Sequence, residues 1–161
     1  MLTVSGLYIY PIKSLGGMQV DAATVTPTGF QYDRRWMLVD ADHRFISQRE
    51  VPQLALLQAA VQDQMVTITH KQTGASFSFP VHMLQQEWIG VEIWEDACTA
   101  QLVGAAADQW FAEQVSLPCR LVFMPDDTKR RVDPGYATHN EITSFSDGFP
   151  FLMIGQSSLD Q

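Results

Sequence analysis

The chain has 161 residues, 46% of them hydrophobic and 17% charged, which supplies one apolar core with material for part of a second and excludes a disordered chain. A formal net charge of -8 excludes the broad basic face that nucleic acid requires. No stretch approaches the about 18 apolar residues of a membrane-spanning helix, and the start lacks the basic-then-apolar pattern of a secretory leader, so a cytoplasmic protein is expected.

In chain order, residues 2–10 are rich in β-branched and aromatic side chains and read as a strand stopped by Pro11. Gly16-Gly17 is a turn, residues 18–26 alternate as a second strand, and Pro27-Thr28-Gly29 turns tightly. Residues 35–40 form a third strand, and the polar turn Asp40-Ala41-Asp42-His43 returns it through residues 44–48 as a hairpin. Residues 54–61 are ambiguous between strand and helix. Residues 65–70 and 75–81 form a hairpin around Gln72-Thr73-Gly74, and residues 88–94 and 98–103 form another. Residues 105–115 carry Ala107, Trp110, Phe111, Gln114 and Val115 at helical spacing, with Asp108 in the first turns where negative charge suits the helix dipole. Ser116-Leu117-Pro118 ends that helix, and residues 119–124 are a strand. Many short strands with one helix predict a mainly β fold, a barrel of short, mostly antiparallel strands with one prominent α-helix near 105–115.

From Pro125 the character changes. Residues 126–135 are charged and turn-rich and read as an exposed loop or linker. Phe151-Leu152-Met153-Ile154 is apolar, and Ser157 or Ser158 is an N-cap candidate for a helix that the chain barely begins. Two units are therefore expected: a barrel over 1–124, then a linker and the beginning of a truncated second domain over 125–161.

The cations are unevenly spread. Lys13, Arg34, Arg35, Arg44 and Arg49 fall early; Arg120, Lys129, Arg130 and Arg131 fall late; Lys71 stands alone between them. Where early and late segments meet, an acidic protein gains a local positive site for a small anion. Cys98 and Cys119 lack C-x-x-C spacing and the four histidines are scattered, so neither set reads as metal ligands; reduced thiols are expected. Trp36, Trp88, Trp94 and Trp110 read as core, Trp110 with Phe111 being the buried face of the helix. Arg49-Glu50 reads as a strand-end salt bridge, and Asp33-Arg34 as a structural ion pair or part of a ligand site.

Six runs in order carry a resemblance: Tyr10-Pro11-Ile12-Lys13-Ser14, Asp33-Arg34-Arg35-Trp36, Gln48-Arg49-Glu50-Val51-Pro52, Trp110-Phe111, Arg120-Leu121-Val122, and Phe145-Ser146-Asp147-Gly148-Phe149-Pro150. Across essentially the whole chain they resemble the N-terminal β-barrel domain of the MOSC family, the molybdenum-cofactor proteins related to the mitochondrial amidoxime-reducing component. The resemblance implies the N-terminal part of an oxidoreductase that binds the molybdenum cofactor (molybdopterin) and reduces N-hydroxylated compounds. It implies cofactor contacts at Lys13, Ser14 and Arg34, with Ser146, Asp147 and Gly148 as further candidates. It implies as partners a small-molecule substrate, a C-terminal MOSC domain, and an electron-donor domain or protein. In some bacterial members that donor is an iron–sulfur domain at the C-terminus. The family's metal-ligating cysteine lies in the later domain, and neither Cys98 nor Cys119 sits in a matching motif, so no catalytic and no metal residue is expected within 1–161 and the isolated chain is not expected to be active.

The residues themselves allow that chemistry. Lys is a point charge, Arg a two-pronged donor and Ser a short hydrogen-bonding group, a trio suited to a phosphate monoester of about two negative charges. Pro11 fixes the angle at which Ile12-Lys13-Ser14 leaves the strand. The alternative is a non-catalytic barrel that binds a substrate or partner. Sulfur transfer, as in the cofactor sulfurases, ranks third.

Overall fold

The structure, a computed structural model, describes residues 1, 3–83 and 85–160; Leu2, the expected start of the first strand, lies outside the described residues. Strand β1 is Leu7–Ile9 and pairs antiparallel with β2, Met18–Val20. The strand expected over 18–26 breaks at Asp21. Its remainder, β3 (Val25–Thr26), turns through Pro27 and Thr28 into β4 (Gly29–Phe30).

Strand β5 is Trp36–Val39. The ambiguous segment after it resolves into a short 3-10 turn, Pro52–Leu56, which Pro52 suits as a first helical residue, and then β6, Leu57–Gln62. With β7 (Met65–His70) and β8 (Ser76–Pro80) it makes a three-stranded meander in the order β6-β7-β8. Strands β9 (Trp88–Ile93), β10 (Asp96–Leu102) and β11 (Arg120–Phe123) join β5 in a four-stranded antiparallel sheet, order β5-β11-β10-β9.

Trp36 to Val39 is apolar throughout because the four-stranded sheet buries both faces. Trp36 and Leu38 point to an inner core with Ile12, Leu54, Ile68, Phe79 and Leu121. Met37 and Val39 point to the opposite core with Val91, Ile93, Leu102 and Phe145. Helix α1 (Ala105–Val115) has the expected bounds and closes one side of the inner core with Ala107, Phe111 and Val115. Ser116, in the left-handed region at φ 54°, ends it. Asp108 does more than suit the dipole: its carboxylate accepts from the Leu121 amide at 2.7 Å, which ties α1 to β11.

The curled sheets are joined by the segment after β1. The Lys13 amide donates to the Trp36 carbonyl at 2.8 Å, and the Gly16 amide donates to the Leu57 carbonyl at 2.9 Å. Residues 10–17 thus form a strap from the four-stranded sheet to the meander, with Ile12 and Leu15 buried beneath it.

Four expectations need correction. Residues 126–135 are not simply exposed: Thr128, Arg130 and Val132 are buried, and β12 (Arg130–Arg131) pairs with β13 (Ile142–Thr143). Helix α2 (Gln156–Leu159) is capped by the Gly155 backbone, so Ser157 and Ser158 lie within it. Trp88 and Trp94 are exposed rather than core. The second strand of the hairpin expected over 88–94 and 98–103 begins earlier, at Asp96, because the turn falls at Trp94-Glu95, which places Cys98 opposite Val91.

Candidate functional site

The strap presents Lys13 at a place where the chain has paid for burial. Its side chain is only 7% exposed, and its Nζ lies 2.7 Å from an Asp147 carboxylate oxygen, 134 positions away in sequence. The ammonium also sits 4.9 Å from the centre of the Phe45 ring. Burial lowers the Lys13 pKa and outweighs the opposing pull of Asp147; the charges of Arg130 and Arg34 push the same way as burial. Burial pushes the Asp147 carboxyl up, but the Lys13 hydrogen bond and charge, with help from Trp94 and Arg34, hold it below its ordinary value.

Arg34 is the second anchor. Its amide donates to the Tyr10 carbonyl at 2.8 Å, and its carbonyl accepts from the Phe145 amide at 3.0 Å. One residue therefore links the strap to the late segment. Its guanidinium donates to Asp33 at 2.5 Å and lies 4.8 Å from the Tyr10 ring centre. The other Asp33 oxygen accepts from the Tyr10 amide at 2.7 Å, so the Asp33-Arg34 ion pair is structural and braces the strap. Arg35 points away, to the Met124 carbonyl and Asp126. Both Ser14 (φ 69°) and Arg34 (φ 49°) hold left-handed backbone, a conformation that costs a non-glycine residue on the order of 1 kcal/mol.

The residue that sequence reasoning passed over is Arg130. It is 4% exposed, and its guanidinium grips the Asp96 carboxylate at 2.6 Å and the carbonyls of Ser144, Ser146 and Asp147 at 3.0, 2.5 and 3.0 Å. Phe145, fully buried in the outer core, fixes the same turn from its other side. The sequence signal was weak: an arginine inside a charged, turn-rich run resembles any solvated cation. Trp94 was missed as well. Its indole N–H donates to the Asp147 oxygen that Lys13 holds, at 3.1 Å, and the Arg49 guanidinium lies 5.7 Å from its ring. Glu50 accepts from the Ser47 hydroxyl at 2.9 Å, so the expected Arg49-Glu50 salt bridge gives way to a turn cap.

The six expected residues divide into two groups. Lys13 and Asp147 pair directly and Arg34 lies near enough for its charge to act on both, with Ser14 next to Lys13 in sequence and its carbonyl held by Gln48 at 2.7 Å. Gly148 adjoins them with open space where a side chain would stand. Ser146 turns inward: it is buried and its hydroxyl bonds to that of Thr143. A cleft beside the turn is lined by Trp94, Glu95, Tyr136, Asp147, Gly148 and Phe149.

This donor set suits an anionic group such as a phosphate monoester: the Lys13 ammonium and the Trp94 N–H meet at one oxygen, and the Arg34 charge acts on both Lys13 and Asp147. It does not supply metal ligands. Among the described residues no three His, Cys, Asp or Glu side chains cluster for a metal. Burial pushes the Cys98 and Cys119 thiols up to about 11, so neither offers a thiolate near neutral pH.

The chain is 29% identical over 173 residues to mitochondrial amidoxime-reducing component 1 of Mus musculus, covering 98% of this chain and 49% of that protein. It is 24% identical over 159 residues to molybdenum cofactor sulfurase of Drosophila grimshawi, covering 95% of this chain and 20% of that one. The chain thus spans about half the length of the first relative and a fifth of the second. A Bordetella bronchiseptica protein solved in solution shares the fold, with a TM-score of 0.58 at 13% identity over 78% of this chain and 92% of its own. Among the described residues no helix is long and apolar enough to cross a membrane. Residues 1–118 match the model of the MOSC N-terminal beta barrel domain, and the chain belongs to that family.

Proposed function

We propose that this chain is the N-terminal part of a molybdenum-cofactor oxidoreductase that reduces N-hydroxylated compounds, and that it supplies the wall of the cofactor site facing the pterin phosphate. The observation that carries the proposal is the meeting of Lys13, Arg34 and the 146–148 turn on a strap held by backbone hydrogen bonds. The names of the relatives, an amidoxime-reducing component and a cofactor sulfurase, support the choice of cofactor.

In this reading the cofactor supplies the two-electron chemistry, and the chain supplies position and charge. Lys13 holds the phosphate as a buried point charge, and Arg34, whose guanidinium is braced by Asp33, adds positive charge beside it. Ser14, rigidly placed by its left-handed backbone, offers a hydroxyl beside them. Gly148 leaves room for a flat group to approach the backbone. Metal ligands and the electron donor, an iron–sulfur domain or a separate protein, come from outside residues 1–161, in a cytoplasmic enzyme whose second domain begins within 125–161.

A second reading is a non-catalytic barrel that recognises substrate or partner. The cleft beside the turn, where Trp94, Tyr136 and Phe149 stand among charged residues, favours it. Full-length protein made in a host that synthesises the cofactor separates the two, using an amidoxime as substrate and the charge reversals Lys13→Glu and Arg34→Glu. Loss of bound pterin together with amidoxime reduction supports the first reading. Retained pterin with an altered substrate range supports the second.

A further inference from the structure

The oxygen that Lys13 holds belongs to the chain itself. Asp147 Oδ1 receives both the Lys13 ammonium, at 2.7 Å, and the Trp94 indole N–H, at 3.1 Å. Those are the two donors that an incoming oxyanion would use, so the carboxylate stands where a ligand oxygen would stand. Its backbone is fixed, because Arg130 holds the Asp147 carbonyl and Phe145 is buried two residues earlier. Its side chain is not: it is 80% exposed, while its partner Lys13 is 7% exposed. The exposed carboxylate is already solvated and can exchange its partners for water, whereas the Lys13 ammonium is enclosed by the fold. A carboxylate left in place beside a phosphate would repel it.

We propose that Asp147 is a resident counter-anion of the site: it neutralises the buried Lys13 when no ligand is bound, and an incoming phosphate group displaces it. The proposal rests on the reading of Lys13 as an anion anchor and assigns Asp147 a role opposite to that of a direct cofactor contact. It accounts for a buried lysine whose partner is a largely exposed carboxylate rather than a buried one. It also makes Asp147 set the affinity threshold, since the apparent affinity of any anion falls by the fraction of molecules in which Lys13 is free. Weak, adventitious oxyanions are excluded, while a ligand with further contacts at Arg34 and Gly148 displaces the carboxylate.

The test is calorimetric titration of inorganic phosphate into the intact cofactor-free protein at fixed ionic strength, for wild type, Asp147→Asn, Lys13→Ala and the Lys13→Ala/Asp147→Asn double variant. Asp147→Asn is expected to bind phosphate at least about tenfold more tightly than wild type, a tax removed from a site whose free fraction is one tenth or less. The double variant is expected to lose that gain. Equal or weaker binding by Asp147→Asn overturns the counter-anion role while leaving the anion site intact. A gain that survives in the double variant overturns it as well, because the gain would then arise from net charge rather than from Lys13. No binding by wild type or Asp147→Asn removes the anion site and the proposal with it. Retained thermal unfolding temperature in each variant separates these outcomes from misfolding.

Discussion

At the scale of single residues, the site is a set of costs accepted for position. A lysine buried to 7% and two non-glycine residues in left-handed backbone each lower stability, and all three fall at candidate ligand contacts. Because the Lys13 pKa lies below 10.5 in the fold, the unfolded chain binds the proton more readily, so stability rises with pH across the window between the two values. Lys13→Met is expected to abolish that rise and to leave stability equal or higher by about 1 kcal/mol, since Asp147 stays solvated and uncosted. Urea unfolding across alkaline pH checks it. Arg130 is the opposite case. Arg130→Met leaves the buried Ser144 and Ser146 carbonyls, the part-buried Asp147 carbonyl and the half-exposed Asp96 without their donor and is expected to cost about 2–4 kcal/mol. Arg130→Lys, with one point of charge for a four-acceptor fork, is expected to recover less than half of that in the same measurement. Lys13, Ser14 and Arg34 stand out in the sequence as candidates because they sit in short motifs, the first two just after a proline-terminated strand. Arg130 does not, because its partners are carbonyls brought to it only by the fold, 14 to 17 positions later.

At the scale of elements, local pattern was a good guide wherever one face meets one core. Helix α1 kept its bounds, and the β7–β8 and β9–β10 hairpins follow alternation and turn residues. Pattern failed where contacts are made on both faces or across the chain. The strand expected over 18–26 splits because its second half serves the small β3–β4 hairpin, which braces the late segment: Phe30 meets Phe151 edge to face at 4.9 Å. Gly29 at the same hairpin has φ 122°, and a side chain there would meet the Pro150 carbonyl at 2.8 Å. Gly29→Ala is therefore expected to destabilise by about 1–3 kcal/mol, through backbone strain and through loss of the close approach. The same substitution is expected to weaken phosphate binding by loosening the 146–148 turn, which calorimetry on the folded variant reads directly. Trp94 shows the same limit at the β9–β10 turn: its left-handed φ of 54° rotates an aromatic out of the strand alternation and onto Asp147.

At the scale of the whole molecule, the proposed anion site lies on an acidic body. Four cations drawn from both ends of the chain, Lys13, Arg34, Arg49 and Arg130, lie around the Lys13–Asp147 pair and its Trp94 partner. The sequence spread alone did not separate these from Arg35, Arg44 and Arg120, which pair with Asp126, Glu92 and Asp108 elsewhere on the surface. Phe151, Leu152, Met153 and Ile154 are exposed next to the site, a contiguous apolar stretch of the kind that a neighbouring domain covers. The most direct measurement of the central claim is the molybdenum and pterin content of the full-length protein beside its Lys13→Ala variant, both made in a host that synthesises the cofactor and both shown to be folded. Near-stoichiometric metal and pterin in the wild type, with most of both lost in Lys13→Ala, is the expected result. Equal loading of the two proteins would contradict the assignment of Lys13 to the cofactor site.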